Sequence, residues 1–438
     1  MRRRCDDGRG AASTRRVAEM MLMAAVLAAA CRAAPHVDAD PGPSTADQWW
    51  KGNTHTHSLW SDGDDFPEMI AAWYKAAGYH FLALTDHNSI ESGERWWPVP
   101  ANGLGATAYA KYRERFGSWV GERRRGETLA VRLRGPSEYR ALFDQPSRFL
   151  VVEGEEITQY LDRRGAHVNA LNLAVTIPDQ SGETLVEMLR RDLAAAHAQE
   201  RESGRAIVAV LNHPNFLWSQ TAEDLLALDS LRFFEVYDGH PLVNVRGDSL
   251  RPGNERLWDI VLTRRLGRSR AAELLYGVAT DDAHDYHEFA PAQRNPGRGW
   301  IMVRASRLGA PELMKALRRG DFYASTGVEL AALHREGMEL SLAIRSQPGV
   351  RYATQFIGTR AGYDTATSAV ADSAGRPVTR RYSGDVGVVL AEVRGITATY
   401  RMRGDELYVR ARILSSRAKQ NPSYPGEREM AWTQPVRP

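Results

Sequence analysis

Phe81-Leu82-Ala83-Leu84-Thr85-Asp86-His87 is a short apolar run that stops abruptly at an acid and a histidine. The same figure recurs along the chain. Run 149–152 leads into Gly154-Glu155-Glu156, run 207–211 into His213-Pro214, and run 276–280 into Asp282-Ala283-His284. Run 167–173 begins at His167, run 233–237 precedes Asp238-Gly239-His240-Pro241, and a last run covers 300–303. Amphipathic stretches at 67–77, 184–198, 222–228, 254–266 and 311–319 separate the runs and predict helices. Short β-rich runs alternating with helices predict an α/β fold of βα units around a parallel sheet or barrel.

Working outward, residues 91–148 break the alternation. They are rich in Arg, Trp, Tyr and Gly, and read as an insertion with its own helices. Insertions in barrels tend to sit over the active face, so either a lid or a peripheral decoration is expected. Trp96, Trp97, Tyr109, Tyr112 and Trp119 would then line a substrate wall or pack the insertion itself. From about residue 330 the helical period fades. Residues 331–438 alternate apolar with polar positions and predict a β-rich C-terminal module after a metallohydrolase barrel over 49–330.

The first 30 residues read as an export signal: arginines at 2, 3, 4, 15 and 16, an apolar run over 20–30, then small residues. That run is too short to cross a bilayer as a helix. Cys5 and Cys31 are the only cysteines, so the body has no disulfide framework and no thiolate metal ligand. Cys31 follows a lipobox-like stretch and is a candidate for lipidation, which would tether the protein in the cell envelope; ordinary cleavage near Ala34 is the alternative. Residues 31–48, with Pro35, Pro41, Gly42 and Pro43, read as a linker. Six arginines and three acids fall in the first 30 residues, which leaves 51 residues of each sign in the rest. A neutral body gives no reason to expect nucleic acid as a partner, and a small-molecule substrate is expected instead.

The chemistry lies in the run ends. His55 and His57 are two apart on a strand, so their imidazoles share one face and can share one ion. Asp62, His87, Glu156, His167, His213, Asp282 and His284 follow at or near other run ends. In a parallel barrel these ends converge on one mouth. Imidazole and carboxylate without thiolate suit Zn, Mn or Fe. Asp86 and Asp281 would either orient neighbouring ligands or cap strand ends. His240 is a candidate proton donor to a leaving group, with a turn residue as the plainer role. Arg294 and Arg298 are candidates for a phosphate clamp.

His55-Thr56-His57, Ser61-Asp62-Gly63, Thr85-Asp86-His87, Gly154 to Glu156, His213-Pro214 and Asp282-Ala283-His284 resemble, in order, the motifs of the PHP (polymerase and histidinol phosphatase) family. Tyr237 to Pro241 and Ala431 to Pro435 resemble its exported subgroup of carbaryl-hydrolase-like metallohydrolases. The resemblance implies a distorted seven-unit (β/α) barrel holding two or three divalent metal ions. One ion would take His55, His57, Glu156 and Asp282, a second Glu156, His167 and His213, and a third Asp62, His87 and His284. Glu156 is chosen over Glu155 because it falls two places after Gly154, as the motif requires. The function this implies is hydrolysis by metal-activated water. Three readings stand: a phosphoesterase on a small phosphate ester, a carboxylic ester or carbamate hydrolase, and a non-catalytic metal-bearing binding protein.

Overall fold

β1 (Gln48–Asn53) pairs in parallel with β2 (Phe81–Leu84), and β2 in parallel with β3 (Leu150–Leu161). The computed structural model that contains them describes residues 47–438. The expected export segment, Cys31 and the linker as far as residue 46 lie outside the described residues.

The sheet then departs from an all-parallel pattern. β3 pairs antiparallel with β4 (Arg164–Leu171), and β4 antiparallel with β5 (Val208–Leu211). Only Asp162 and Arg163 join β3 to β4, and so short a link can make a hairpin but never a parallel crossover. Asp162 takes the left-handed conformation, φ +57°, that such a turn favours. Parallel pairing resumes from β5 to β6 (Phe233–Asp238) and β7 (Tyr276–Thr280). The two ends of this seven-strand run meet beyond β1 and β7. Thr56 bridges Ala283 in parallel, the His57 N–H donates to the Ala283 carbonyl at 2.9 Å, and the Asp282 N–H donates to the His55 carbonyl at 3.1 Å.

On its other side β1 carries antiparallel β8 (Trp300–Ala305), which pairs with β9 (Phe322–Ser325). The sheet runs on without a break into C-terminal strands β10 (Tyr352–Arg360), β11 (Val388–Arg394), β12 (Glu406–Ala418) and β13 (Arg428–Thr433). The joint is the β9–β13 pair. The fold is therefore a mixed α/β fold around one large sheet with a C-terminal β region. Smaller antiparallel sheets complete that region, one built from Leu330–Glu336, Glu339–Ile344 and Thr397–Arg401, the other from Thr367–Ala371 and Pro377–Tyr382.

Helices α1 (Pro67–Ala76), α2 (Gly103–Phe116), α3 (Pro136–Phe143), α4 (Leu185–Ser203), α5 (Ala222–Leu226), α6 (Asn254–Arg268) and α7 (Ala310–Arg318) cover the sheet and the insertion. In α4, Leu185, Met188, Leu189, Leu193 and Ala196 form one buried stripe. Its ends are set by the Thr184 hydroxyl, which accepts the Glu187 N–H, and by Gly204 at φ +69°. Trp258 of α6 is fully buried and its indole N–H donates to the Leu275 carbonyl at 2.8 Å. The ring lies so close to Gly277 on β7 that a Cβ there would come within 2.9 Å of it. Truncating Trp258 to Ala would cost about 3–5 kcal/mol. The Gln434 amide, beyond β13, bonds both the N–H and the carbonyl of Gly277 and so continues the sheet with a side chain.

Residues 91–148 contain α2, α3 and a three-stranded antiparallel sheet (Arg95–Pro98, Glu122–Arg125, Thr128–Leu133). Among the described residues no helix is long and apolar enough to cross a membrane.

Candidate metal centre

All nine predicted ligands meet at one end of the seven-strand run. Asp282 Oδ1 lies 3.2 Å from both His55 Nε2 and His57 Nε2, which are 3.1 Å from each other. Glu156 stands at the centre: its oxygens lie 3.4 Å from His55 Nε2, 3.5 Å from His57 Nε2, 3.0 Å from His167 Nδ1, 3.3 Å from His213 Nε2 and 2.7 Å from His87 Nδ1. Asp62 Oδ1 lies 3.5 Å from His87 Nε2 and 3.3 Å from His284 Nε2. His57 joins this last group through Nδ1, 3.6 Å from Asp62. Four overlapping groups of candidate ligand atoms are compact: His55, His57 and Glu156; Glu156, His167 and His213; His57, Asp62, His87 and His284; and His55, His213, Asp238 and Asp282. Glu155 is on the opposite face of β3, where its Oε1 accepts the Ile177 N–H at 2.5 Å and burial pushes its carboxyl up to about 8. Strand alternation separates the two neighbours.

The atoms that converge fit a cation better than they fit each other. The His55 Nδ1–H is directed to Glu235 Oε1 at 2.7 Å, so Nε2 presents a lone pair to the His57 nitrogen and the Asp282 carboxylate. Burial opposes charge on His55, yet Asp282, Glu235 and Glu156 raise its imidazole well above the usual range, so these acids call for positive charge here, as a proton or as a bound cation. Burial, together with His284 and His87, lowers the His57 imidazole to about 3, which is the neutral form a ligand requires. Burial opposes charge on Glu156, yet His167, His87 and His55 hold its carboxyl well below the usual range. His167 Nε2 points away from the centre toward Gly165, where a Cβ would clash at 2.8 Å, so glycine there leaves the ring room. Two of the predicted ligands sit on strained backbone, Asp282 at φ +48° and His213 at φ +20°. Their N–H groups are held by the His55 carbonyl and by Glu235 Oε2 at 2.6 Å.

The sequence reading missed Glu235 and Asp238. Glu235 is fully buried on β6 and accepts from His55, the His213 N–H and the Thr280 hydroxyl, so it fixes the tautomer and tilt of His55. An acid inside Phe233-Phe234-Glu235-Val236-Tyr237 was the available signal, since a core strand does not carry a carboxylate without a partner. Asp86 turns out to hold the 58–61 turn, accepting the Ser58 N–H at 2.9 Å and the Ser58 and Ser61 hydroxyls. Asp281 accepts the N–H groups of Gly297, Arg298 and Gly299 and the Tyr74 hydroxyl. Neither side chain bonds a ligand ring directly.

A cavity of about 390 Å³ opens above the cluster. Asp62, His87, Glu156, His167, His213, Asp282 and His284 are in its wall; Tyr160, Phe216 and Leu242 give it an apolar rim. His240 is in the wall too. Its Nδ1 accepts the Leu242 N–H at 3.2 Å, which leaves Nε2 to carry the hydrogen. Burial lowers this imidazole to about 4, so it is neutral rather than the protonated donor expected. Arg294 also reaches the cavity; it is held by both Asp285 oxygens, with one guanidinium nitrogen 4.0 Å from Asp62.

Arg298 corrects the sequence expectation. It is fully buried and outside the cavity wall; its donors go to the carbonyls of Gly239, Ala290 and Gln293 and to Asn421 Oδ1. A guanidinium with these partners cannot clamp a phosphate. Of the two roles open to the insertion's aromatic residues, the packing one fits: none of residues 91–148 is in the cavity wall. Tyr112 stacks on Phe66 at 4.0 Å, and Trp119 and Tyr112 donate to Glu68 at the start of α1. Trp97 and Tyr109 pack into the same apolar cluster, while Trp96 bonds Glu94 and lies under Arg123.

Neither a protein-family model nor a curated protein matches the chain. Solved structures similar to it include a two-domain protein from Bacteroides vulgatus containing a predicted PHP-like metal-dependent phosphoesterase, at 14% identity over 90% of this chain and 97% of that one, TM-score 0.38. A candidate metal-dependent phosphoesterase from Bifidobacterium adolescentis matches at 16% identity over 55% and 89%, TM-score 0.26. An amidohydrolase from Chromobacterium violaceum, with bound sulfate and no metal, matches at 16% identity over 56% and 93%, TM-score 0.25.

Proposed function

We propose that this chain is a metal-dependent hydrolase of the PHP type, acting first of all on a small phosphate ester. In this reading β1 to β7 and their seam form the distorted (β/α) barrel that the motifs imply. The observation that carries the proposal is the meeting of His55 Nε2, His57 Nε2 and Asp282 Oδ1 within about 3 Å. Two or three divalent ions held there by His55, His57, Glu156, Asp282, His167, His213, Asp62, His87 and His284 would supply an acidified water and offset charge developing on the substrate. Zinc, manganese and iron all suit these donors. Glu235 keeps His55 in the tautomer whose lone pair faces inward. His240 offers its Nε2–H as a neutral hydrogen-bond donor to a substrate oxygen at the cavity wall. Arg294 places one positive charge at the mouth, partly offset by Asp285.

The apolar rim of Tyr160, Phe216 and Leu242, and the unavailability of Arg298, favour a second reading: a carboxylic ester or carbamate hydrolase with the same centre. Purified protein assayed on an aryl phosphate and on a naphthyl ester or carbamate, with and without chelator, separates the two. Chelation should abolish whichever activity is present, and equal rates with chelator would overturn the metal mechanism. Glu156→Gln should lose bound metal and activity together. Export through residues 1–30, with lipidation at Cys31, belongs to the same proposal; cell fractionation with fatty-acid labelling of a Cys31→Ser variant checks it.

A further inference from the structure

Asp238 closes β6 and its side chain is fully buried. One carboxylate oxygen, Oδ1, accepts the His240 N–H at 2.7 Å, and the other, Oδ2, has no partner. A carboxylate oxygen of Asp238 forms a compact group with ligand atoms of His55, His213 and Asp282, all within 4.8 Å of one another. No donor in that group can answer it. His55 directs its Nδ1–H to Glu235, His213 Nε2 faces Glu156, and Asp282 is a second carboxylate. A buried carboxylate oxygen without a donor needs either a proton of its own or a cation. Glu235 Oε2 accepts only the His213 N–H and lies within hydrogen-bond reach of Asp238, so a proton shared between Asp238 and Glu235 is the alternative to a cation.

We propose that Asp238 is a further cation-holding carboxylate, set where the His55–Asp282 group meets the His213 group. The proposal rests on the metal reading above and adds to it a tenth residue, which lies within Tyr237 to Pro241 but outside the ligand motifs. It gives the strand-end acid two tasks through its two oxygens. Oδ1 anchors the backbone of His240, and Oδ2 faces the cations. The sequence Asp238-Gly239-His240 would thus couple metal occupancy to the position of His240, with one carboxylate touching both.

The test uses the full chain and Zn²⁺ alone. Asp238→Asn has the shape of a protonated aspartate, keeps an acceptor for the His240 N–H, and cannot hold a cation through its nitrogen. After equilibration with Zn²⁺ and dialysis, wild type should keep its full complement. Asp238→Asn should lose one equivalent, or bind Zn²⁺ at least about 10-fold more weakly, with its unfolding transition intact. Equal stoichiometry and affinity in the two proteins would assign Asp238 a protonated, structural role and overturn the proposal. Should the variant fail to fold, anomalous diffraction from Zn²⁺-loaded wild type decides the matter without it. An Asp238 oxygen about 2.0–2.2 Å from zinc is the expected result, and every zinc beyond about 3.5 Å of Asp238 the contrary one. A wild type that binds no Zn²⁺, Mn²⁺ or Fe²⁺ at all would sink the whole metal reading, an outcome distinct from metal bound without Asp238.

Discussion

The insertion at 91–148 and the loop at 419–427 both lie outside the seven-strand run, and they relate to the candidate site in opposite ways. The insertion follows β2 directly, is rich in Trp and Tyr, and packs its rings onto Phe66 and Glu68 at the start of α1. The loop comes from the far end of the chain, carries one aromatic residue, and braces both segments that bear the mouth of the cavity. Asn421 bonds Arg298 and the Pro296 carbonyl, and Arg298 in turn holds the carbonyls of Gly239 and Gln293. Those carbonyls are one residue before His240 and Arg294. Behind them Lys419, Glu427 and Tyr237 form a buried cluster. Nearness in sequence and a wealth of rings said little about which region supports the site. Where buried carbonyls need donors said much more.

The largest break in this contrast should come from Arg298→Leu. It leaves the buried Gly239 carbonyl and the partly buried Gln293 carbonyl without this donor, at about 1–3 kcal/mol for each one that finds no water, while Ala290 keeps the Gln293 N–H. Denaturant unfolding should show a loss of about 2 kcal/mol or more, with activity falling roughly 100-fold or more as both mouth segments loosen. Arg298→Lys should recover only part, since one ammonium cannot reproduce the spread of a guanidinium. Unchanged stability and activity in the Leu variant would remove the loop from any role at the mouth.

Asn421→Ala is milder. It loses a bond at 3.3 Å to Arg298 and one at 3.0 Å to Pro296, so about 1–2 kcal/mol of stability and a several-fold fall in activity are expected, with metal content unchanged. The matching change in the insertion, Trp119→Phe, removes the bond to Glu68 at 2.7 Å. It should cost about 1 kcal/mol and leave activity within about twofold. Measured side by side, equal activity losses would erase the contrast, and a loss in Trp119→Phe alone would reverse it.

Much of this architecture was legible from the chain. The runs at 81–85, 207–211, 233–237 and 276–280 became strands because buried strands need apolar residues, and predicted ligands follow three of them, at His87, His213 and Asp282. The β3–β4 hairpin was hidden. Past Val152 the strand continues through Glu153, Gly154, Glu155, Glu156, Thr158 and Gln159, polar residues that read as the end of a run. They find partners outside the strand, Glu155 at the Ile177 N–H, Gln159 at Asp192 of α4 and Glu156 among the histidines, which composition does not reveal. Arg298 was misread for a related reason: a guanidinium bound for three carbonyls looks, in sequence, like one bound for a phosphate. Arg294, four residues earlier, does reach the cavity.

The smallest effect expected is a pH slope from the buried cluster behind His240. Burial lowers Lys419 to about 8 in the folded chain, against 10.5 for an ordinary lysine. Between those values the unfolded chain holds a proton on this residue that the folded chain has released. Stability therefore gains from Lys419 as pH rises from about 8 to 10.5, at no more than about 1.4 kcal/mol per pH unit. Below about 8 the residue is charged in both states, and its contribution is flat. Lys419→Met combined with Glu427→Gln removes both charges and keeps an acceptor for the Tyr237 hydroxyl. Near neutral pH this pair should change stability by about 1 kcal/mol or less and activity hardly at all, because exchanging a buried ion pair for neutral groups is often close to neutral. Unfolding curves at several pH values should then show wild type pulling ahead of the double variant only above about pH 8. A constant offset at every pH would mean that Lys419 keeps its proton in the folded chain, and that the cluster braces the mouth as an intact ion pair.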